Sequence, residues 1–255
     1  MKLNEKCYDL DELFTRNFHI HTSPLSHCAR KEMLPQAVIS EAKKAGLKEI
    51  AITNHIQAYE EEKFLSSAAA LADETTAYTD GIKVYIGAEF SAFAPGEYNF
   101  RDGECPERYF RMYSHNHYAN DCWTQPQDRS ALGYKRHCDE ILSALIRSGK
   151  ADALAHPFFD RYIVREFEEY GFHFGSVTDL WTDNELGDYF TLANAFGTAW
   201  ELNIRLLPDY PAFARRYFNI GREAGAVFFI GSDAHTLEDI GTAPHKDEIK
   251  KLLGV

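Results

Sequence analysis

The sequence is most informative at first through what it lacks. It has no apolar run of the roughly 18 or more residues that marks a membrane-spanning helix. Its opening stretch, MKLNEKCYDLDELF, has no apolar signal core, so export is not expected. Cysteine is scarce and unpatterned. Cys7, Cys28, Cys105, Cys122 and Cys138 are odd in number and form no Cys-x-x-Cys pair. That argues against a disulfide framework and for reduced thiols in a cytoplasmic protein. Positive charge is also short, with 27 Lys and Arg against 39 Asp and Glu and a net charge of −12. So acidic a chain is a poor general partner for nucleic acid, which needs cations against its phosphates. No internal repeat or low-complexity tail is visible, and GSD at 231–233 lacks the nucleophile-elbow pattern of serine hydrolases.

What is present is enough apolar residue, 45% of 255, for one large core, so a single barrel domain over residues 1–255 suffices. Helix and strand patterns alternate. EMLPQAVISEAKKAG reads as a helix that starts near Pro35 and stops at Gly46, followed by the strand KEIAIT. FLSSAAALADETTAY precedes the strand KVYIGAEF, and ALGYKRHCDEILSALIRSG precedes ADALAH. TAWELN is a further strand, and PAFARRYFNIGREAG precedes AVFFIGSD. The alternation predicts a parallel α/β sheet with seven strands, near Phe18, Ile50, Ile86, Tyr113, Leu154, Leu202 and Phe229. Residues 94–130, rich in aromatics, Pro, Gly and Asp, break the rhythm and read as an elaborated segment over a site. Residues 160–195 are expected to add short helices.

Polar residues recur at one structural address. His19 and His21, two apart on a strand, share a face, and His27 can return over it from the following loop. His55 follows the second strand and Glu89 ends the third. His115 or His117 follows the fourth and His156 the fifth. The sixth carries Glu201 and Asn203, and Asp233 and His235 follow the seventh. In a closed parallel barrel all these ends meet on the face where chemistry is found. The set exceeds the three protein ligands of one catalytic zinc, so two to three ions are expected, and imidazole-rich sites suit Zn, Mn or Fe. Cys28, beside His27, is read as a packing thiol rather than a ligand.

These motifs resemble the PHP (polymerase and histidinol phosphatase) superfamily of metal-dependent phosphoesterases. HIHTSPLSH is similar to its first motif, AITNH to its second, and GAEF supplies the third-strand glutamate. SHNHY matches the fourth-strand motif best through His117, AHPF supplies His156, and GSDAH supplies Asp233 and His235. ELNIRLLPDYP and GSDAHTLEDIG resemble the histidinol-phosphatase branch. Asn54 stands where many members carry an acid. The segment after Glu89 and the stretch CWTQPQDRS depart from that branch. The resemblance implies a distorted seven-stranded (β/α) barrel and a trinuclear metal site. It also suggests a division of ligands: His19, His21, Asp233 and Glu89 on one ion; His27, His55 and His235 on a second; Glu89, His117 and His156 on a third. The expected activity is hydrolysis of small phosphomonoesters by a metal-bridging hydroxide, with histidinol phosphate the first candidate. Glu89, Asp233 and Arg205 would be the catalytic groups, Arg205 either holding a phosphate oxygen or forming a surface ion pair. Glu97, Asp102, Glu104, Glu107, Asp121 and Asp128 could face a cationic substrate or simply solvate a loop. The alternatives are a phosphodiesterase or nucleotide phosphatase on the same scaffold, an amidohydrolase-like barrel, whose usual bridging lysine finds no place here, and a non-catalytic PHP module.

Overall fold

The structure, a computed structural model, describes residues 2–3, 5–23, 25–117, 123–159 and 177–255. Seven parallel strands form one sheet. They are β1 (Arg16–Ile20), β2 (Glu49–Ile56), β3 (Lys83–Ala94), β5 (Phe110–Ser114), β6 (Ala153–Leu154), β7 (Ala199–Asn203) and β8 (Phe228–Gly231), in that spatial order. A two-residue strand, β4 (Glu97–Tyr98), folds back antiparallel on β3. The sheet closes where Ile20 bridges Ala234 in parallel and the His21 N–H donates to the Ala234 carbonyl at 3.0 Å. Below that point Asn17 donates to Ser232 Oγ at 2.7 Å and holds the two edges together.

Helices alternate with the strands: α1 (Leu10–Leu13), α2 (Pro35–Lys44), α3 (Glu61–Thr76), α4 (Ala131–Arg147), α5 (Asp183–Phe196), α6 (Pro211–Ala224) and α7 (Lys246–Leu253). Their starts and stops follow local chemistry. Pro35 opens α2, where its missing N–H has no partner to lose. Thr182 and Glu185 cap α5 reciprocally, and Gly197 ends it in the left-handed conformation. The buried faces of the helices pack on the outside of the sheet in a large apolar cluster. A second cluster, with Phe18, Phe110 and Phe229 ring to ring among Ala51, Met112, Ala153, Ala155 and Ala199, fills the lower barrel. Such close packing leaves the catalytic possibilities to the upper, C-terminal rim.

Two strands differ from their sequence patterns. β3 runs on past Phe90 to Ala94, so Glu89 sits within a strand rather than at its end, paired in register with His55 of β2. β6 keeps only two residues of ADALAH, because the chain turns sharply afterwards: His156 and Phe158 have φ of 31° and 66°. Of the segment expected to give short helices, residues 160–176 lie outside the described residues, Val177–Leu180 form a short 3-10 helix as expected, and Asp183–Phe196 form a longer helix of 14 residues. Among the described residues, no helix is long and apolar enough to cross a membrane.

Candidate metal centre

The parallel strands deliver polar side chains to the upper rim, and five imidazoles converge there on the carboxylate of Glu89. Glu89 is almost wholly buried. Its Oε1 faces His156 Nε2 at 3.0 Å and His117 Nε2 at 3.4 Å. Its Oε2 faces His55 Nδ1 at 2.9 Å, His19 Nε2 at 3.4 Å and His21 Nε2 at 3.6 Å. Asp233 supplies a second carboxylate, with Oδ1 at 3.0 Å from His21 Nε2 and 3.3 Å from His19 Nε2. The rings crowd together, His21 lying 4.2 Å from His55 and 4.4 Å from His235 between centroids. Both His156 and Asp233 hold left-handed backbone, φ 31° and 52°, a conformation that ordinary residues keep only where their surroundings enforce it.

The orientation of each ring is set from behind. His19 Nδ1–H donates to Glu201 Oε1 at 2.8 Å. His235 Nδ1–H donates to the Asp233 carbonyl at 2.8 Å. His21 Nδ1 lies 3.2 Å from Ser26 Oγ, whose own proton goes to Asn54 Oδ1 at 3.0 Å, so the ring is the donor. His117 Nδ1 meets Ser114 Oγ at 3.3 Å. His19, His21, His117 and His235 thus have Nδ1 committed outward and Nε2 turned elsewhere, the arrangement by which proteins aim histidines at metals. Among the described residues, three groups of ligand atoms could each hold an ion: His19, His21, Glu89 and Asp233; His21, His55 and His235; and His55, Glu89 and His117.

Electrostatics follow from burial and crowding. Burial opposes charge on Glu89, but His55, His117 and His19 hold its carboxyl well below the usual carboxylate range. Asp233 is depressed in the same way, against its burial, chiefly by His19 and His21. Burial and the neighbouring His55 push His21 well below an ordinary imidazole, and burial brings His117 down to about 4 despite Glu89. So many buried imidazoles around two carboxylates suit divalent cations of the zinc, manganese and iron class better than magnesium or calcium, so the donor set fits the expected metals.

The model of the PHP domain matches residues 17–203, well over half of the chain. The chain belongs to the PHP domain family. The PHP match ends at Asn203, before Asp233 and His235, which the barrel nevertheless returns to the same cluster. The histidinol phosphate phosphatase of Lactococcus lactis, solved with zinc, L-histidinol and phosphate, superposes with a TM-score of 0.56 at 19% identity, covering 93% of each chain. A protein of Listeria monocytogenes named as a candidate histidinol phosphatase superposes with a TM-score of 0.50 at 13% identity, covering 89% of this chain and 97% of that one. Both show that the folds are alike. Comparison of the sequence with curated proteins returns no match.

The sequence-predicted PHP site divides as follows. His19, His21, His55, Glu89, His117, His156, Asp233 and His235 all meet, and the ligand atoms of His19, His21, Glu89 and Asp233, the first of the expected groups, lie together. His117, not His115, reaches Glu89; His115 is buried near Phe158, and burial lowers it to about 3. His27 does not join: it is exposed and belongs to none of the three ligand groups. The cause is a turn in which Ala29 N–H donates to the Ser26 carbonyl at 3.0 Å, with His27 and Cys28 as its central residues. Cys28 is exposed too, yet its Sγ lies 3.1 Å from His235 Nε2, so it is a thiol at the edge of the cluster and not the packing thiol expected from the sequence. Burial would raise that thiol, but hydrogen bonds with His235 and His55 bring it down to about 6. Arg205 stands at the rim, its Nη1 donating to the Asp233 carbonyl at 3.1 Å and lying 3.3 Å from Asp239.

Sequence reasoning missed the supports. Asn54 accepts from the Thr22 N–H at 2.6 Å and from Ser26 Oγ, so it fixes the loop after β1 and, through Ser26, the His21 ring. The elaborated segment does border the site, since the Trp123 ring lies 5.8 Å from that of His117. Three of its acids are paired elsewhere: Glu97 and Asp102 with Arg101, and Asp128 with Arg136. Asp121 lies outside the described residues.

Proposed function

We propose that this PHP chain is a metal-dependent phosphoesterase that hydrolyses small phosphomonoesters. The observation that carries the reading is the set of inward-turned imidazoles shared between the two oxygens of Glu89. Two to three ions, of zinc, manganese or iron, would be held by His19, His21, His55, Glu89, His117, His156, Asp233 and His235. Ions held here would lower the pKa of water towards neutrality and draw charge from phosphate oxygens.

The protein's own groups do the remaining work. Glu89 and Asp233 would supply the negative charge that balances such ions. Glu201 and Ser26 keep His19 and His21 in the tautomer that leaves Nε2 free. Arg205, tethered through one nitrogen to the Asp233 carbonyl, is placed to hold a phosphate oxygen above the cluster, a role its planar fork of donors suits. A dianionic monoester gains more from such a cation than a diester does. L-Histidinol phosphate is the first candidate, since the Lactococcus lactis relative was solved with L-histidinol and phosphate. We place the protein in the cytoplasm, where its scattered thiols would stay reduced.

The test compares kcat/KM for L-histidinol phosphate, an aryl phosphate, a nucleoside monophosphate and an aryl phosphodiester, with metal saturating. Preference for a monoester is expected. If the diester is cleaved best, a phosphodiesterase replaces this reading. If the aryl monoester equals histidinol phosphate, the monoesterase stands and the histidinol assignment fails.

A further inference from the structure

We propose that the Cys28 thiolate, and not the His27 imidazole, completes the ligand group of His21, His55 and His235; the proposal rests on the metal-centre reading above. The turn that carries both residues is pinned at each end. Ser26 is held by Asn54, and the Arg30 N–H donates to the His235 carbonyl at 3.0 Å. Between these anchors both side chains are exposed, but the Cys28 sulfur reaches His235 Nε2, whereas His27 belongs to none of the ligand groups.

Geometry and charge both favour sulfur. His235 has its Nδ1–H committed to the Asp233 carbonyl, so the nitrogen 3.1 Å from Cys28 Sγ is the one with a lone pair to give. His55 also acts electrostatically on the Cys28 thiol, so a second imidazole of the group stands near the sulfur. Tetrahedral zinc, with Zn–S of about 2.3 Å and Zn–N of about 2.0–2.1 Å, holds such a pair about 3.5 Å apart. The observed pair need open by only a few tenths of an ångström. This ligand group is also the one without a carboxylate of its own, whereas the other two contain Glu89. A thiolate would supply the missing negative charge, its proton leaving to solvent as the sulfur–metal bond forms. A sulfur ligand biases this position towards zinc and against manganese or magnesium.

Cobalt(II) substitution of the full chain reads the ligand directly. Thiolate bound to cobalt gives a near-ultraviolet charge-transfer band that imidazole and carboxylate do not. We expect the band in the wild-type protein, its loss in Cys28→Ser and its retention in His27→Gln. The weakest-bound cobalt of Cys28→Ser should also bind roughly 10- to 100-fold or more loosely, at least the loss seen when only a supporting partner is removed. Cobalt uptake by the wild type without the band, or a band that survives in Cys28→Ser, overturns the assignment and leaves the metal centre standing. Absence of cobalt uptake overturns both.

Discussion

Replacing Glu201 by Gln should weaken metal binding although Glu201 is in none of the ligand groups. Its carboxylate is fully buried beneath the cluster. Oε1 accepts from His19 Nδ1–H at 2.8 Å, and Oε2 accepts from the His156 backbone N–H. The pocket is tight: a Cβ on Gly231 would lie 1.9 Å from Oε1, so only glycine leaves room for the carboxylate. Glutamine keeps the volume but offers one acceptor where two are needed. Either His19 or His156 must then face an NH2 group. A buried donor left without an acceptor costs about 1–3 kcal/mol. Loss of a supporting partner behind a metal-bound histidine lowers affinity roughly 10- to 100-fold, which is about 1.4–2.8 kcal/mol. The two routes agree. Competition with a chelator measures the affinity, and denaturant unfolding of the metal-free protein measures the structural share. Unchanged affinity would show that the His19 ring is held without Glu201 and would refute this account of the site.

Three further outcomes are expected. Glu89→Ala removes the carboxylate whose two oxygens face five imidazoles, so metal and activity should be lost together; elemental analysis beside turnover decides, and near-normal turnover would make Glu89 a packing residue. Arg205→Ala should lower kcat/KM roughly 10- to 1000-fold if the guanidinium anchors phosphate. An unchanged value would return Arg205 to its ion pair with Asp239. At the opposite end of the barrel, Asp152→Ala would strip Arg111 of a two-pronged partner at 2.7 and 3.1 Å and also leave the Arg111 N–H unpaired. Breaking such a buried pair costs about 3–5 kcal/mol, seen as a lower denaturant midpoint, with metal content unchanged.

Much of this protein is legible in its amino-acid sequence, because local rules act on short stretches. Alternating helix and strand patterns point to the parallel barrel, and its connectivity alone forces the strand ends to one face. Hence His19, His55, Glu89, His156 and Asp233, far apart in the chain, can be gathered into one site from sequence alone. The capping pair Thr182 and Glu185, with Gly197 beyond, also marks the two ends of α5, which is longer than the short helices expected for that segment.

Tertiary structure alone decided matters that turn on a single residue's direction. His27 and Cys28 are neighbours, and either could have reached the site by spacing. The turn pinned by Asn54 and by the His235 carbonyl leaves both exposed and puts the Cys28 sulfur against the site histidine His235. The choice of His117 over His115, and the tautomer of His19, likewise depend on partners such as Ser114 and Glu201. Sequence determines which donors reach the barrel rim, because strand order and periodicity are set locally. Which of them turns its lone pair inward is settled only by hydrogen bonds to residues distant in the chain, and those exist only once the barrel has closed.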